Sequence, residues 1–142
     1  PTQLDAPLKE LKLKSFQEIL IGGKTFTSLA TQKFFLKDLI KYPFICLGLE
    51  TATYHFYYNL FLSHGIELIP DTEAATTDQI LPVVSSNLAL GFYPEELAMP
   101  HIERGEICQI KIKEKIPKRN IVLVRNTSIP ESIAAKKFLA QF

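Results

Sequence analysis

Between residues 42 and 97 the chain repeats one layout: a short apolar run, a turn rich in hydroxyl and acidic side chains, then a helical stretch. Residues 44–47 are an uninterrupted apolar run of the kind a parallel sheet buries on both faces. The run breaks at Gly48 into Glu50, Thr51 and Thr53. Residues 67–69 read as a second strand, 71–77 as its polar turn, 78–86 as the next helix, and 90–93 as a third strand closed by Pro94. Strands alternating with helices give an α/β fold around a mainly parallel sheet. Ligands of such sheets sit beyond the carboxyl ends of the strands, where both threonine-bearing turns fall. Glu50, Thr51, Thr53, Thr76 and Thr77 are therefore the candidate ligand-binding residues. Phe92 and Tyr93, ending the third strand, are candidates for an aromatic wall, with core packing the alternative for Phe92.

The helix expected over residues 53–64 has both ends marked. The Thr51 hydroxyl can cap its first turn, and Gly65 suits the left-handed position just past its end. Tyr54, Tyr57, Tyr58, Phe61 and Leu62 form its apolar stripe. Phe56 and Leu60 lie off that stripe and make the helix apolar nearly all round, which suits core packing or a partner on a second side. The next helix opens with Thr76-Thr77-Asp78-Gln79, a capping box whose outward N–H groups also suit an anion or a carbonyl. Pro82 is expected to remove one of its backbone bonds and bend it.

Neither turn contains Lys or Arg, whereas Glu50, Asp71, Glu73 and Asp78 are acidic, so this part of the chain is poorly suited to a strongly anionic ligand such as a phosphate ester, and any cationic clamp is expected from sequence outside this chain. No phosphate loop, nucleophile elbow, Cys-x-x-Cys or His-Glu-x-x-His occurs, so no catalytic residue, metal ligand or cofactor is assigned. His55 and His64 fall on opposite helix faces, and His101 is expected in a loop after Pro100. Cys46 in a buried strand and Cys108 in an alternating one read as reduced core residues rather than a bridge. Lys111, Lys113, Lys115, Lys118 and Arg119 alternate with Ile110 and Ile112, the pattern of an edge strand protected by charge. A formal charge of +1 gives no footprint for nucleic acid. The longest uncharged stretch, 51–62, is too short to span a bilayer, and no leader is visible at Pro1, so no membrane partner is expected.

Several segments together resemble the effector-binding domain of LysR-type transcriptional regulators. They are Thr77-Asp78-Gln79-Ile80-Leu81-Pro82, Gly91-Phe92-Tyr93-Pro94-Glu95-Glu96-Leu97, and the Leu36-x-Asp38-Leu39-x-x-x-Pro43 helix. The strands within residues 11–29 and the strand and helix of residues 121–142 resemble the same family, so the likeness covers nearly the whole chain. It implies a type II periplasmic-binding-protein-like domain made of the second lobe, residues 23–123, with residues 1–22 and 124–142 as parts of the first lobe. Gly22 and Gly23 would form one hinge crossing, with a strand-ending turn as the alternative, and Val124 and Arg125 the return. It further implies a cytoplasmic regulator that takes a small polar or carboxylate effector in an inter-lobe cleft, self-associates through its lobe helices, and meets DNA only through a separate helix-turn-helix domain. A solute receptor of a transport system and an enzyme on the same fold are the competing readings. Ala135, Phe138, Leu139 and Phe142 form an apolar stripe on the last helix, expected to pack on the second lobe or on another copy of the chain.

Overall fold

The computed structural model describes residues 7–142, and they divide into two compact units, 17–117 and a smaller one built from 7–16 and 118–142. The larger unit holds a six-stranded sheet in the order β3-β7-β2-β6-β4-β5. Its strands are β2 (Glu18–Gly23), β3 (Lys33–Phe34), β4 (Phe44–Leu47), β5 (Thr72–Ala74), β6 (Leu90–Pro94) and β7 (Ile107–Ile112). β2 runs antiparallel to both of its neighbours, β6 and β7, while β4 is parallel to β5 and β6, and β3 to β7. Five strands therefore point one way and β2 alone the other. β2 and β4 are buried at every residue, as expected of apolar runs covered on both faces.

Strand alternation sends side chains into two cores. Leu20, Phe44, Cys46, Leu90, Phe92 and Ile110 pack on one face beneath helices α1 (Leu36–Leu39) and α2 (Ala52–Leu62) and the 3-10 helix Lys24–Thr31. Ile19, Ile21, Ile45, Leu47 and Tyr93 pack on the other beneath α3 (Ile80–Ser85) and α4 (Glu95–Glu103). Close seating of α3 depends on two glycines. A Cβ on Gly91 would lie 2.9 Å from Ile45 Cγ2 and 3.0 Å from Ile80 Cγ2, and one on Gly23 only 2.4 Å from the Val84 carbonyl oxygen.

Several expectations are corrected here. The strand preceding the second turn is β5, Thr72–Ala74, not residues 67–69: Asp71 grips Phe44 through both its backbone N–H (2.9 Å to the Phe44 carbonyl) and its carboxylate (2.8 Å from the Phe44 N–H), which starts the pairing after Pro70. In α2 the buried residues are Tyr54, Tyr57, Leu60 and Phe61, so Leu60 takes the place expected for Leu62, which is exposed. His101 lies inside α4 rather than in a loop, because Pro100 sits on the solvent face, leaving Ala98 packed on the sheet. β7 is no bare edge: β3 pairs with it at Lys111 and Ile112. Pro82 falls in the first turn of α3, which follows a 3-10 turn at Thr77–Gln79. Gly22 and Gly23 lie within β2, paired with Cys108 and Ile107, while the chain passes between units beside Gln17 and Lys118.

In the smaller unit β1 (Leu8–Phe16) pairs antiparallel with β8 (Arg119–Asn126), with an irregularity between Lys12 and Lys14, and Val124 and Arg125 lie within this ladder. α5 (Ile133–Leu139) follows, capped by the Ser132 hydroxyl, which accepts from the Ala135 N–H at 3.1 Å. No described residue of this unit is buried. Ile133, Phe138 and Phe142 are exposed, the last two in edge-to-face contact at 5.1 Å.

Candidate functional site

The carboxyl edge of the larger sheet collects the ends of β4, β5, β6 and β7 and, because β2 runs backwards, its first residue, Glu18. At this edge β4 and β6 are neighbours, yet α2 leaves β4 toward one face while α4 leaves β6 toward the other. Divergence of adjacent connections opens a crevice, the topological switch point at which open α/β sheets bind ligands.

Thr51 stands at the end of β4 and is fully engaged in structure. Its hydroxyl donates to the Gly48 carbonyl (2.8 Å) and accepts from the Tyr54 N–H (3.1 Å), capping α2 as its sequence indicates, and Gly65 closes that helix region at φ +72°. Glu50 is exposed beside it, its carboxylate near the Gly48 backbone. Thr76 and Thr77 stand at the end of β5, the parallel neighbour of β4, so the two turns share one edge of the sheet. Gln79 makes its half of the capping box, its Oε1 accepting from the Ala75 N–H at 2.8 Å and the Thr76 N–H at 3.3 Å.

Thr53 lines a small cavity with Leu47, Tyr57, Ile80 and Phe92 whose volume is about 10 Å³, room for one water. Thr51, Thr76 and Thr77 are not part of that cavity. Phe92 and Tyr93 are both buried but face opposite cores: Phe92 stacks flat on Tyr57 at 4.1 Å, while burial and the nearby Asp78 push the Tyr93 hydroxyl's pKa up.

Beside the Tyr57–Phe92 stack lies a residue absent from the sequence-derived set. Glu18 is the one buried charged side chain among the described residues, 4% exposed, and Tyr57 donates a 2.7 Å hydrogen bond to its Oε2. Its sequence signal is a carboxylate opening the otherwise apolar run Glu18–Gly23. Glu18 also lines a cavity of about 420 Å³ together with Glu95, Gln109, Lys111, Glu114 and Lys115. Two lysines read from sequence as edge protection thus line a polar cavity in the larger unit. Glu114 is partly committed, its Oε2 accepting from the Leu36 N–H at 3.0 Å.

Cys46 and Cys108 are free thiols; burial and then Glu73 push Cys46 up to about 12, and burial raises Cys108. His101 Nδ1 lies 2.6 Å from Glu106 Oε2, and Arg104 Nε donates to Glu106 Oε1 at 2.7 Å; these hydrogen bonds hold the Glu106 carboxyl at about 2. Among the described residues no group of His, Cys, Asp or Glu suited to a metal ion occurs, and no helix is long and apolar enough to cross a membrane.

Comparison with known proteins agrees with this architecture. No curated protein matches the chain in sequence. The Synechocystis PCC6803 CcmR regulatory domain, solved with 2-PG, superposes with a TM-score of 0.82 at 16% identity, over 99% of this chain and 67% of that one. The effector-binding domain of QuiR, solved with shikimate, gives 0.81 at 17% identity, over 99% and 66%. The regulatory domain of NMB2055 (MetR) from N. meningitidis gives 0.77 at 14% identity, over 99% and 64%. The chain therefore spans about two thirds of the length of these domains. The LysR substrate binding domain family matches residues 27–142, and the chain belongs to that family.

Proposed function

We propose that this chain is the effector-sensing part of a cytoplasmic LysR-type transcriptional regulator, taking a small polar or carboxylate metabolite at the carboxyl edge of the larger sheet. The observation that carries this reading is the switch point between β4 and β6, in a chain that belongs to a substrate-binding family. Thr53, Thr76 and Thr77 would offer hydroxyls along that edge, Thr51 would position the turn there by capping α2, and Glu50, Phe92 and Tyr93 complete the candidate set. Glu18, held by the Tyr57 hydroxyl, adds with Lys111 and Lys115 a polar cavity at the same edge. Two proteins of this fold were solved with 2-PG and with shikimate, which supports a small oxygen-rich ligand.

Binding would act by favouring one arrangement of the domain over another, since only a difference in affinity between two states shifts a regulator. Contact with DNA is assigned to a separate segment of the parent protein, because a net charge of +1 offers phosphate little. The reading as a regulatory rather than enzymatic domain rests on membership of the LysR substrate binding domain family.

A thermal-shift screen of organic acids, hydroxy acids and amino acids tests the proposal. A hit is expected to stabilise the wild-type chain, and Thr51→Ala or Thr76→Ala to weaken that stabilisation beyond their own cost, which for a lost cap is about 0.5–2 kcal/mol. Hits that stabilise both variants as strongly as wild type would remove the threonine turns from the site.

A further inference from the structure

The amino end of the same sheet, opposite the proposed effector edge, carries a second concavity that the sensing role leaves unused. It measures about 480 Å³ and is walled by Leu39, Tyr42, Phe44, Phe61, Ile66 and Leu68. Its size lies in the range of small-molecule sites, and its floor is hydrocarbon: Leu39, Phe44, Phe61 and Leu68 are core residues. Two rim residues, Ile40 and Ile69, are 67% and 72% exposed and so leave apolar area for an occupant to cover. Lys37 and Glu67 are the charged lining residues, Lys41 Nζ stands over the Tyr42 ring at 5.6 Å, and all three are exposed, so water screens their charges. Tyr42 contributes a hydroxyl that bonds no described residue, its ring being held edge-on by Phe26 at 6.2 Å.

We propose that this cavity is a second ligand site, for an uncharged, mainly apolar ring compound carrying a single hydrogen-bonding group. A charged ligand would be desolvated against a phenyl and leucyl floor, with only exposed, solvent-screened charges at the rim to offset that cost. A neutral ring gains the covered area of Ile40, Ile69 and the aromatic walls at no such cost. The site is tied to the effector edge by a rigid element: α2 begins at the Thr51 cap, and Phe61 in its last turn lines this cavity. An occupant wedged under the end of α2 would bear on the same helix whose first turn borders the crevice, giving a second molecule a physical route to the sensing edge.

Indole, benzoate and benzylamine, matched in ring character and differing in charge, are the probes, titrated into the isotopically labelled chain with backbone amide resonances followed by NMR. Expected is saturable binding of indole with shifts centred on Tyr42, Ile66 and Leu68, and affinity about tenfold or more above that of benzoate and benzylamine, which corresponds to about 1.4 kcal/mol. Ile69→Asp and Ile40→Asp, at exposed positions where folding tolerates change, are expected to weaken indole binding while leaving the spectrum of the remaining chain in place. Ile66→Trp, which fills the cavity, is expected to abolish it. Equal affinity for the three probes, shifts confined to the turns at Thr51 and Thr76, or no saturation would overturn the proposal. So would concentration-dependent shifts of these residues without any probe that Ile69→Asp removes, because they would show a second copy of the chain as the occupant.

Discussion

Gly23→Ala probes how the helix layer is held on the sheet, and its cost can be worked from the contacts. Gly23 has extended backbone (φ −74°, ψ −177°), so alanine meets no conformational penalty. Its new methyl group would lie 2.4 Å from the Val84 carbonyl oxygen and 2.5 Å from Asn87 Oδ1. The first contact is main chain at the end of α3 and yields only if that helix lifts from β2. The second displaces a side chain that accepts two hydrogen bonds from Thr25, at 2.8 Å from its N–H and 3.0 Å from its hydroxyl, and Asn87 itself is held at φ +63°. Overpacking costs about 1–3 kcal/mol. The two hydrogen bonds add about 0.5–1.5 kcal/mol each, and the lower entropy of the unfolded alanine chain returns about 0.4–1 kcal/mol.

The net loss centres near about 3 kcal/mol, which lowers a urea midpoint by about 1–2 M at an ordinary denaturant slope. Near-ultraviolet circular dichroism of the tyrosines reports on the larger unit, since Tyr54 and Tyr57 are in its core. Gly65→Ala is the internal control: nothing lies within 4 Å of its Cβ, and only its φ of +72° resists, at about 1–2 kcal/mol. A Gly23→Ala midpoint equal to or above that of Gly65→Ala would refute the close approach of α3. It would also return Gly23 to the conformational role its sequence position suggested.

Other outcomes follow from single contacts. Tyr57→Phe keeps the stack on Phe92 but removes the hydroxyl that bonds buried Glu18, and is expected to cost about 1.5–3 kcal/mol in a urea melt, much less in a Glu18→Gln background. Glu106 has a folded pKa depressed below its ordinary value of 4.5, so its bonds to Arg104 and His101 stabilise the α4 end above pH 4.5 and are lost as pH falls toward about 2; an NMR titration is expected to place its midpoint near 2, and Arg104→Gln to move it up. Native Cys46 and Cys108 are expected to react slowly with a disulfide reagent at mildly alkaline pH and rapidly once urea unfolds the chain, because both thiols are pushed above their ordinary range. Light scattering across a concentration series is expected to show self-association that Phe138→Glu reduces, since α5 leaves Phe138 and Phe142 exposed.

Where local chemistry marks an element, the sequence was readable. Thr51 and Gly65 bound α2, and the apolar runs at Phe44–Leu47 and Leu90–Pro94 are strands. Misplaced elements are those fixed by distant partners. Thr72–Ala74 has little strand propensity and is a strand because Asp71 clamps Phe44 from 27 residues away. Lys33–Phe34 is too short to show a period, so nothing in the sequence announced that it would cover β7. Glu18 could be seen as a charge opening an apolar run, but its pairing with Tyr57 joins positions 39 apart and belongs to the fold alone. Both threonine turns were legible because parallel neighbours end at one edge whatever their exact bounds. The polar cavity at the same edge was not, because Lys111 and Lys115 alternate like the outer face of an exposed strand.

Mapping a stabilising metabolite onto the backbone amides of this chain tests the central claim most directly. The account predicts that shifts cluster in the turns around Gly48–Thr53, Ala75–Gln79 and Pro94–Glu95, with Glu18 moving alongside them, and that they saturate together with one affinity. A metabolite that binds tightly yet leaves all of these amides unmoved would contradict a ligand site at the carboxyl edge of the sheet.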